Sequence, residues 1–295
     1  MNTSILITGE SGTGKSTSIT NLDPKETFII SVIGKPLPIR NFKDKYKPIV
    51  NWEDKKNNLY VSDDYRSILQ CIKIVNLRPD IKTIIVDDWQ YLLANEFMIR
   101  CSEKGYGKFS EIANHGWLVL NALNKLRDDL TAVVFSHNQA DDQGILRCKT
   151  IGKMLDDKIC IEGMFSIVLS SMITEHGYKF MTQGTQSIIA KSPMGMFEKT
   201  LINNDLKIVL SGVKNYYGVE EVEEVVEIVN PELTSGAGEI IELAYKCEIT
   251  ERVLLEKMQS REPEIKFIAH ASAELKEAVI KWLKETLQQK EQIND

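Results

Sequence analysis

The sequence has no apolar run approaching the ~20 residues that a membrane-crossing helix requires, so no spanning segment is expected. It also lacks a secretory apolar stretch ahead of its first strand-like run, and a cytoplasmic protein is expected. Its five cysteines, Cys71, Cys101, Cys148, Cys160 and Cys247, form no C-x-x-C pair and no Cys/His cluster. That spacing points away from a zinc site or a disulfide framework and toward buried free thiols. The remaining composition, 43% apolar and 26% charged, is that of an ordinary soluble protein. At 295 residues the chain can bury one large core, or one core and a smaller second domain.

The formal charge of −6 hides an asymmetry. Residues 219–295 carry 9 Lys and Arg against 18 Asp and Glu, whereas the rest of the chain carries 27 against 24. The change in composition divides the chain into residues 1–217 and an acidic region, 218–295. Within the first part, Lys35, Arg40, Lys43, Lys45, Lys47, Lys55 and Lys56 cluster with Phe42, Tyr46 and Trp52 among them. Basic side chains along a backbone track, with aromatics for base stacking, suit single-stranded nucleic acid. Asp44, Glu53 and Asp54 dilute the patch, and a solvated Pro-punctuated loop accounts for it as well.

Residues 5–16 read I-L-I-T-G-E-S-G-T-G-K-S, a short apolar run entering G-x-x-x-x-G-K-[ST] at Gly9, Gly14, Lys15 and Ser16. This is the spacing of a Walker A phosphate loop. Glycines admit backbone conformations that let successive N–H groups surround phosphate oxygens. The cradle expected from the pattern is Gly9, Glu10, Ser11, Gly12, Thr13, Gly14, Lys15, Ser16 and Thr17 around ATP. Lys15 would reach the β- and γ-phosphates, and the Ser16 hydroxyl would bind Mg²⁺. Ser16 to Leu22 is expected to continue as a helix.

About 70 residues further on, Lys82 to Asp88 reads K-T-I-I-V-D-D, a β-branched run ending in two acids. Asp87 would bind Mg²⁺ through water, opposite Ser16. Asp88 can orient or deprotonate a water, or serve only as a hydrogen-bonding group. Thr131 to Gln139, T-A-V-V-F-S-H-N-Q, brings His137, Asn138 and Gln139 out of another buried strand. There a polar group can sense a γ-phosphate, or simply satisfy a turn.

Strand-like and helix-like runs alternate. Strands are expected at Thr27–Ile33, Asn58–Ser62, Lys82–Asp88 and Thr131–Ser136. Helices are expected at 65–77, with Asp63-Asp64 as its cap, and at 90–100 and 112–129. This order predicts an α/β fold with a mostly parallel sheet flanked by helices and a ligand at the strands' carboxyl ends. Ile161–Ile173 and Tyr178–Ile189 are expected to be antiparallel strands extending one edge. In the acidic region the run V-E-E-V-V-E-I-V, then 238–248, 250–258 and 272–289, have helical periodicity; Leu275, Val279, Leu283 and Leu287 form an apolar stripe on the last. The acidity there argues against DNA and for contacts with a protein partner or another subunit.

Taken together, these motifs resemble phage-encoded RecA-like P-loop ATPases, the group that includes single-strand annealing and recombination proteins. The likeness rests on G-E-S-G-T-G-K-S, I-I-V-D-D at 84–88 and the His137 strand end. It extends to I-G-K-M-L-D-D-K-I-C-I-E-G-M-F at 151–165, A-K-S-P-M-G-M-F at 190–197 and N-D-L at 204–206. It implies a RecA-like ATPase core over residues 1–217, Mg²⁺-dependent ATP hydrolysis, homo-oligomers and single-stranded DNA as partner. It further implies a cation contributed from one subunit to the next, for which Lys191 is the candidate, with Lys153 and Arg147 as alternatives. One departure stands out: such enzymes commonly carry a glutamate at the end of the strand after the phosphate-loop helix, whereas here that strand runs into V-I-G-K-P at 32–36. The base must then be Asp88, or Asp63 or Asp64, or else hydrolysis is slow. A nucleotide-switched adaptor using the acidic region is the alternative. A small-molecule kinase lacks an Arg-rich lid, and the Asn124-Lys125 pair lacks the aspartate that would read guanine.

Overall fold

The β-branched runs at 4–8, 27–31, 83–87, 131–136 and 167–174 become strands of a single sheet in the computed structural model. The structure describes residues 2–50, 52, 56–151, 159–218, 239–240, 243–244, 247, 249, 251–263 and 271–294. The strands are β1 (Ser4–Thr8), β2 (Thr27–Ser31), β3 (Lys47–Pro48), β4 (Asn57–Val61), β5 (Thr83–Asp87) and β6 (Thr131–Ser136). They are followed by β7 (Asn138–Ala140), β8 (Leu146–Cys148), β9 (Ile167–Thr174), β10 (Gly177–Met181) and β11 (Leu201–Asn203). Nine of them form one sheet in the order β11-β10-β9-β1-β6-β5-β2-β4-β3, and β7 and β8 form a separate antiparallel pair. From β9 to β3 all pairings are parallel, while β10 and β11 add an antiparallel edge.

The central strands are apolar at nearly every position because both faces are covered. Ile5, Ile7, Ile29, Ile85, Val133, Phe135, Ile167 and Leu169 share one core cluster with Ile19, Leu206, Val209 and Val213. The alternate residues Leu6, Phe28, Ile30, Ile84, Val86, Val134 and Val168 are equally buried on the opposite face. The helices of this part are α1 (Phe42–Lys45), α2 (Tyr65–Asn76), α3 (Gln90–Ile99), α4 (Gly107–Leu123) and α5 (Leu206–Tyr217). Asp64 caps α2 as expected, its carboxylate accepting from the Ser67 N–H at 2.8 Å.

Three expected boundaries change. Ser16–Asn21 is a 3-10 helix, not the first turns of an α-helix; its Ser- and Thr-rich sequence competes with helical hydrogen bonds, as Ser18 does by bonding the Lys15 carbonyl at 2.6 Å. Helix α4 begins five residues before Ile112 and ends at Leu123. Lys108 anchors its first turn by donating to the carbonyls of Arg100, Cys101 and Glu103, while the Arg127 guanidinium holds the carbonyls of Val75 and Asn76 and keeps 124–129 out of the helix. Residues 161–164 form a 3-10 turn, so the edge hairpin starts at Ile167.

The chain separates into two compact units, Met1–Ile49 with Lys56–Glu220, and Val50–Lys55 with Glu221–Asp295. In the second, α6 (Glu251–Gln259) and α7 (Ala273–Asn294) bury Leu254, Met258, Leu275, Val279 and Leu283, and the Lys257 ammonium sits 3.9 Å from the Trp282 ring centroid. The V-E-E-V-V-E-I-V run lies outside the described residues. Among the described residues no helix is long and apolar enough to cross a membrane.

Candidate functional site

Parallel strands aligned in register bring their carboxyl ends to one edge: Thr8 pairs with Ser136 and Ser170, and Ser31 with Asp87. Every residue of the candidate site leaves the sheet at that edge. Gly9–Lys15 follow β1, Lys35 follows β2, Asp87 and Asp88 end β5, and His137 follows β6.

The loop after β1 turns on glycine. Gly12 and Gly14 have φ of +82° and +95°, conformations that side chains rarely adopt. A Cβ on Gly9 would meet the Ser171 carbonyl and the Thr13 hydroxyl at 2.7 Å each, so the close approach of β9 requires glycine there. Glu10, Ser11, Gly12 and Thr17 are exposed, whereas Thr13 and Lys15 are buried. The Lys15 ammonium donates to the carbonyls of Gly9 and Glu10 at 2.7 and 2.8 Å, folding the loop around its own cation. Burial pushes Lys15 down to about 8, against the upward pull of Asp88 and Asp87.

Across the edge, Ser16 Oγ donates to Asp87 Oδ1 at 2.9 Å, joining two residues 71 apart in sequence. Asp87 is 1% exposed and its Oδ2 has no hydrogen-bond partner. Burial, and then the neighbouring Asp88 charge, raise its carboxyl to about 6. A buried carboxylate oxygen with nothing bonded to it, beside a hydroxyl and an ammonium, fits a divalent cation and an anion brought together. Among the described residues no group of three or more His, Cys, Asp or Glu is gathered to hold a metal ion by itself. Any ion here would need ligand oxygens from a bound anion or water.

Asp88 differs from Asp87 in every respect. Its φ is +63°, its Oδ1 lies 3.4 Å from His137 Nε2, and its Oδ2 is ion-paired with Lys35. Burial alone would raise this carboxyl, but the bonds from His137 and Lys35 outweigh it and hold it at about 2. His137 is fixed in turn by its backbone N–H, which donates to Gln90 Oε1 at 3.1 Å, and by an edge-on contact with Tyr91.

Sequence reasoning missed the groups that support this site. Lys35 was grouped with the basic loop, yet its ammonium is turned onto Asp88. Ser171 Oγ donates to the Thr13 carbonyl at 2.7 Å and accepts from Asn204 Nδ2 at 3.0 Å, buttressing the glycine loop from the antiparallel edge. The N-D-L run contained that clue, since Asn204 braces Ser171 while Asp205 caps α5. Neither member of the acid pair at 63–64 joins the site: Asp64 is spent on the α2 cap and Asp63 accepts from Asn95.

Lys191 is not gathered with these groups. Its backbone is paired with Val168, which puts it beyond β9 and four strand spacings from β5, about 19 Å. Arg147 is engaged with Asp141 at 2.7 Å, and Lys153 lies outside the described residues. In the basic loop, Tyr46 is buried and Phe42 packs against it at 5.6 Å between ring centroids, which removes Tyr46 as a stacking surface. Arg40, Lys43 and Lys47 are exposed. No protein-family model matches the sequence, and no curated protein is significantly similar to it.

Proposed function

We propose that this chain is a RecA-like P-loop ATPase that binds ATP with Mg²⁺, hydrolyses it slowly, and acts on single-stranded DNA in phage recombination or replication. The observation that carries the nucleotide part is the Ser16–Asp87 hydrogen bond beside the unpartnered Asp87 Oδ2 and the buried Lys15. On this reading Lys15 exchanges two loop carbonyls for phosphate oxygens, and the N–H groups of Gly9–Thr17 supply the rest of the cradle. Ser16, and Asp87 through water, would hold Mg²⁺, whose charge would offset that of the phosphates. Asp88, held at about 2, is too weak a base at neutral pH to take a proton early; it works as an acceptor that orients water, with His137 fixing its direction. A weak base agrees with slow turnover.

The DNA part is supported by Arg40, Lys43, Lys45 and Lys47 and by the resemblance of the motifs; the burial of Tyr46 narrows it to backbone contact more than base stacking. Lys191 remains the candidate for a cation given to a neighbouring subunit, on the resemblance of the A-K-S-P segment alone. The compactness of the acidic second unit favours one other reading, an ATP-switched adaptor that binds a protein through 218–295.

The nucleotide reading is tested by calorimetry on the full chain: Lys15→Ala should lose ATP affinity by about a hundredfold or more. Equal affinity in the variant and the parent would end the proposal. ATPase rates with and without single-stranded DNA, at two salt concentrations, separate the DNA reading from the adaptor. Stimulation that fades with salt supports DNA; indifference to DNA, with ATP-dependent capture of a partner lost on deleting 219–295, supports the adaptor.

A further inference from the structure

The second cation of the site is the feature that the phosphate-loop reading does not use. Lys35 follows β2, four residues beyond its last residue, Ser31. Ser31, paired in register with Asp87, accepts from the Gly34 N–H at 3.1 Å and so pins the turn; Gly34 itself has φ +74°. This turn aims the Lys35 side chain across the carboxyl edge onto Asp88. The two lysines of the site are held differently. Lys15 is buried and bonded to two carbonyls, whereas the Lys35 side chain is 44% exposed and held by one carboxylate, which leaves it free to swing. With Lys15, Lys35, Asp87 and Asp88 the cluster is balanced at two charges of each sign, and an entering Mg²⁺–triphosphate, net negative, would upset that balance in favour of moving a cation toward the phosphates.

Resting on the nucleotide reading above, we propose that Lys35 is a catalytic cation supplied in cis, leaving Asp88 for the γ-phosphate of bound ATP. One movement then does two things. It puts positive charge on the transferring group and it frees Asp88 Oδ2 to accept a hydrogen bond from the attacking water. The water oxygen forms the new bond to the γ-phosphorus as the bond from that phosphorus to the β–γ bridging oxygen breaks. The electron pair stays on the β-phosphate of ADP, and the water's surplus proton leaves through the phosphate product to solvent. One cation of the transfer step would thus be present within the chain, beside any that Lys191 gives to a neighbouring subunit.

The test compares the full-length parent with Lys35→Ala and Lys35→Arg, measuring Mg²⁺-dependent Kd for ADP and for the non-hydrolysable analogue AMP-PNP, and the single-turnover rate. For Lys35→Ala the expected pattern is an ADP Kd within about twofold of the parent and an AMP-PNP Kd weakened about tenfold. The rate should fall by about a hundredfold, with a partial return in Lys35→Arg or on adding ethylammonium to Lys35→Ala. A purely structural ion pair would instead lower the melting temperature and affect both nucleotides alike, and that result overturns the proposal. So does an unchanged rate with unchanged AMP-PNP affinity in a parent that binds both nucleotides, an outcome that leaves the site reading standing. A parent that binds neither nucleotide removes both.

Discussion

Replacing Asp87 with asparagine should make the protein more stable and, on the proposed nucleotide reading, should impair Mg²⁺-dependent turnover. The carboxyl is 1% exposed, with one oxygen bonded to Ser16 and the other to nothing. Its rise from 3.8 to about 6 means that ionising it in the folded state costs about 3 kcal/mol at neutral pH. Asparagine keeps an acceptor for Ser16 and removes that charge, but its N–H₂ enters a site without an acceptor, which returns about 1 kcal/mol. The net gain is about 2 kcal/mol, equivalent to a rise in Tm of about 4–8 °C. The measurement is thermal unfolding by circular dichroism in EDTA at pH 7.5 and pH 5. Between 3.8 and about 6 the folded chain keeps a proton that the unfolded chain has lost, so stability falls as pH rises through that window. About half of that ionisation cost is present at pH 5, so the variant's advantage should narrow from about 2 kcal/mol at pH 7.5 to about 0.6 kcal/mol at pH 5. A variant that melts at or below the parent at pH 7.5, or an advantage independent of pH, refutes the idea that burial makes the Asp87 charge costly while its Oδ2 has no partner.

Ser171→Ala should cost about 1–3 kcal/mol by stranding the Thr13 carbonyl and the Asn204 amide, and should weaken nucleotide binding although Ser171 is in the second rank behind the loop; chemical unfolding and calorimetry on the same preparation check both effects. Asp64→Ala should lower stability by about 1 kcal/mol through loss of the α2 cap while leaving turnover intact, and a dead Asp64→Ala enzyme would return that carboxylate to candidacy as the base.

The parts of the fold that were legible in sequence are those whose physics is local. Continuous β-branched runs such as I-I-V-D could only be strands covered on both faces, and Asp64 ahead of a periodic segment could be read as a cap. The turn at Gly9 to Ser16 was legible because closely spaced glycines mark a backbone that side chains disfavour. The contact of Lys35 with Asp88 was not, because it depends on β2 lying next to β5, a pairing of residues more than fifty apart that no local pattern encodes. Ser171 and Asn204 were hidden for the same reason, since they act on the loop only because β9 is the neighbour of β1. The run S-T-S-I-T-N was read as α-helix from its place after Lys15, when its own side chains favour the tighter 3-10 turn.

The left-handed backbone at Asp88 restricts what evolution or an experimenter can put there. Of the acidic residues, aspartate tolerates that conformation far better than glutamate, since its short side chain can bond locally, and asparagine tolerates it equally. A longer carboxylate at this position would have to reshape the corner between β5 and α3, carrying Trp89 and Gln90 with it. Asp88→Asn is therefore the substitution that deletes a charge and keeps a shape, and Asp88→Glu is the one that moves the scaffold.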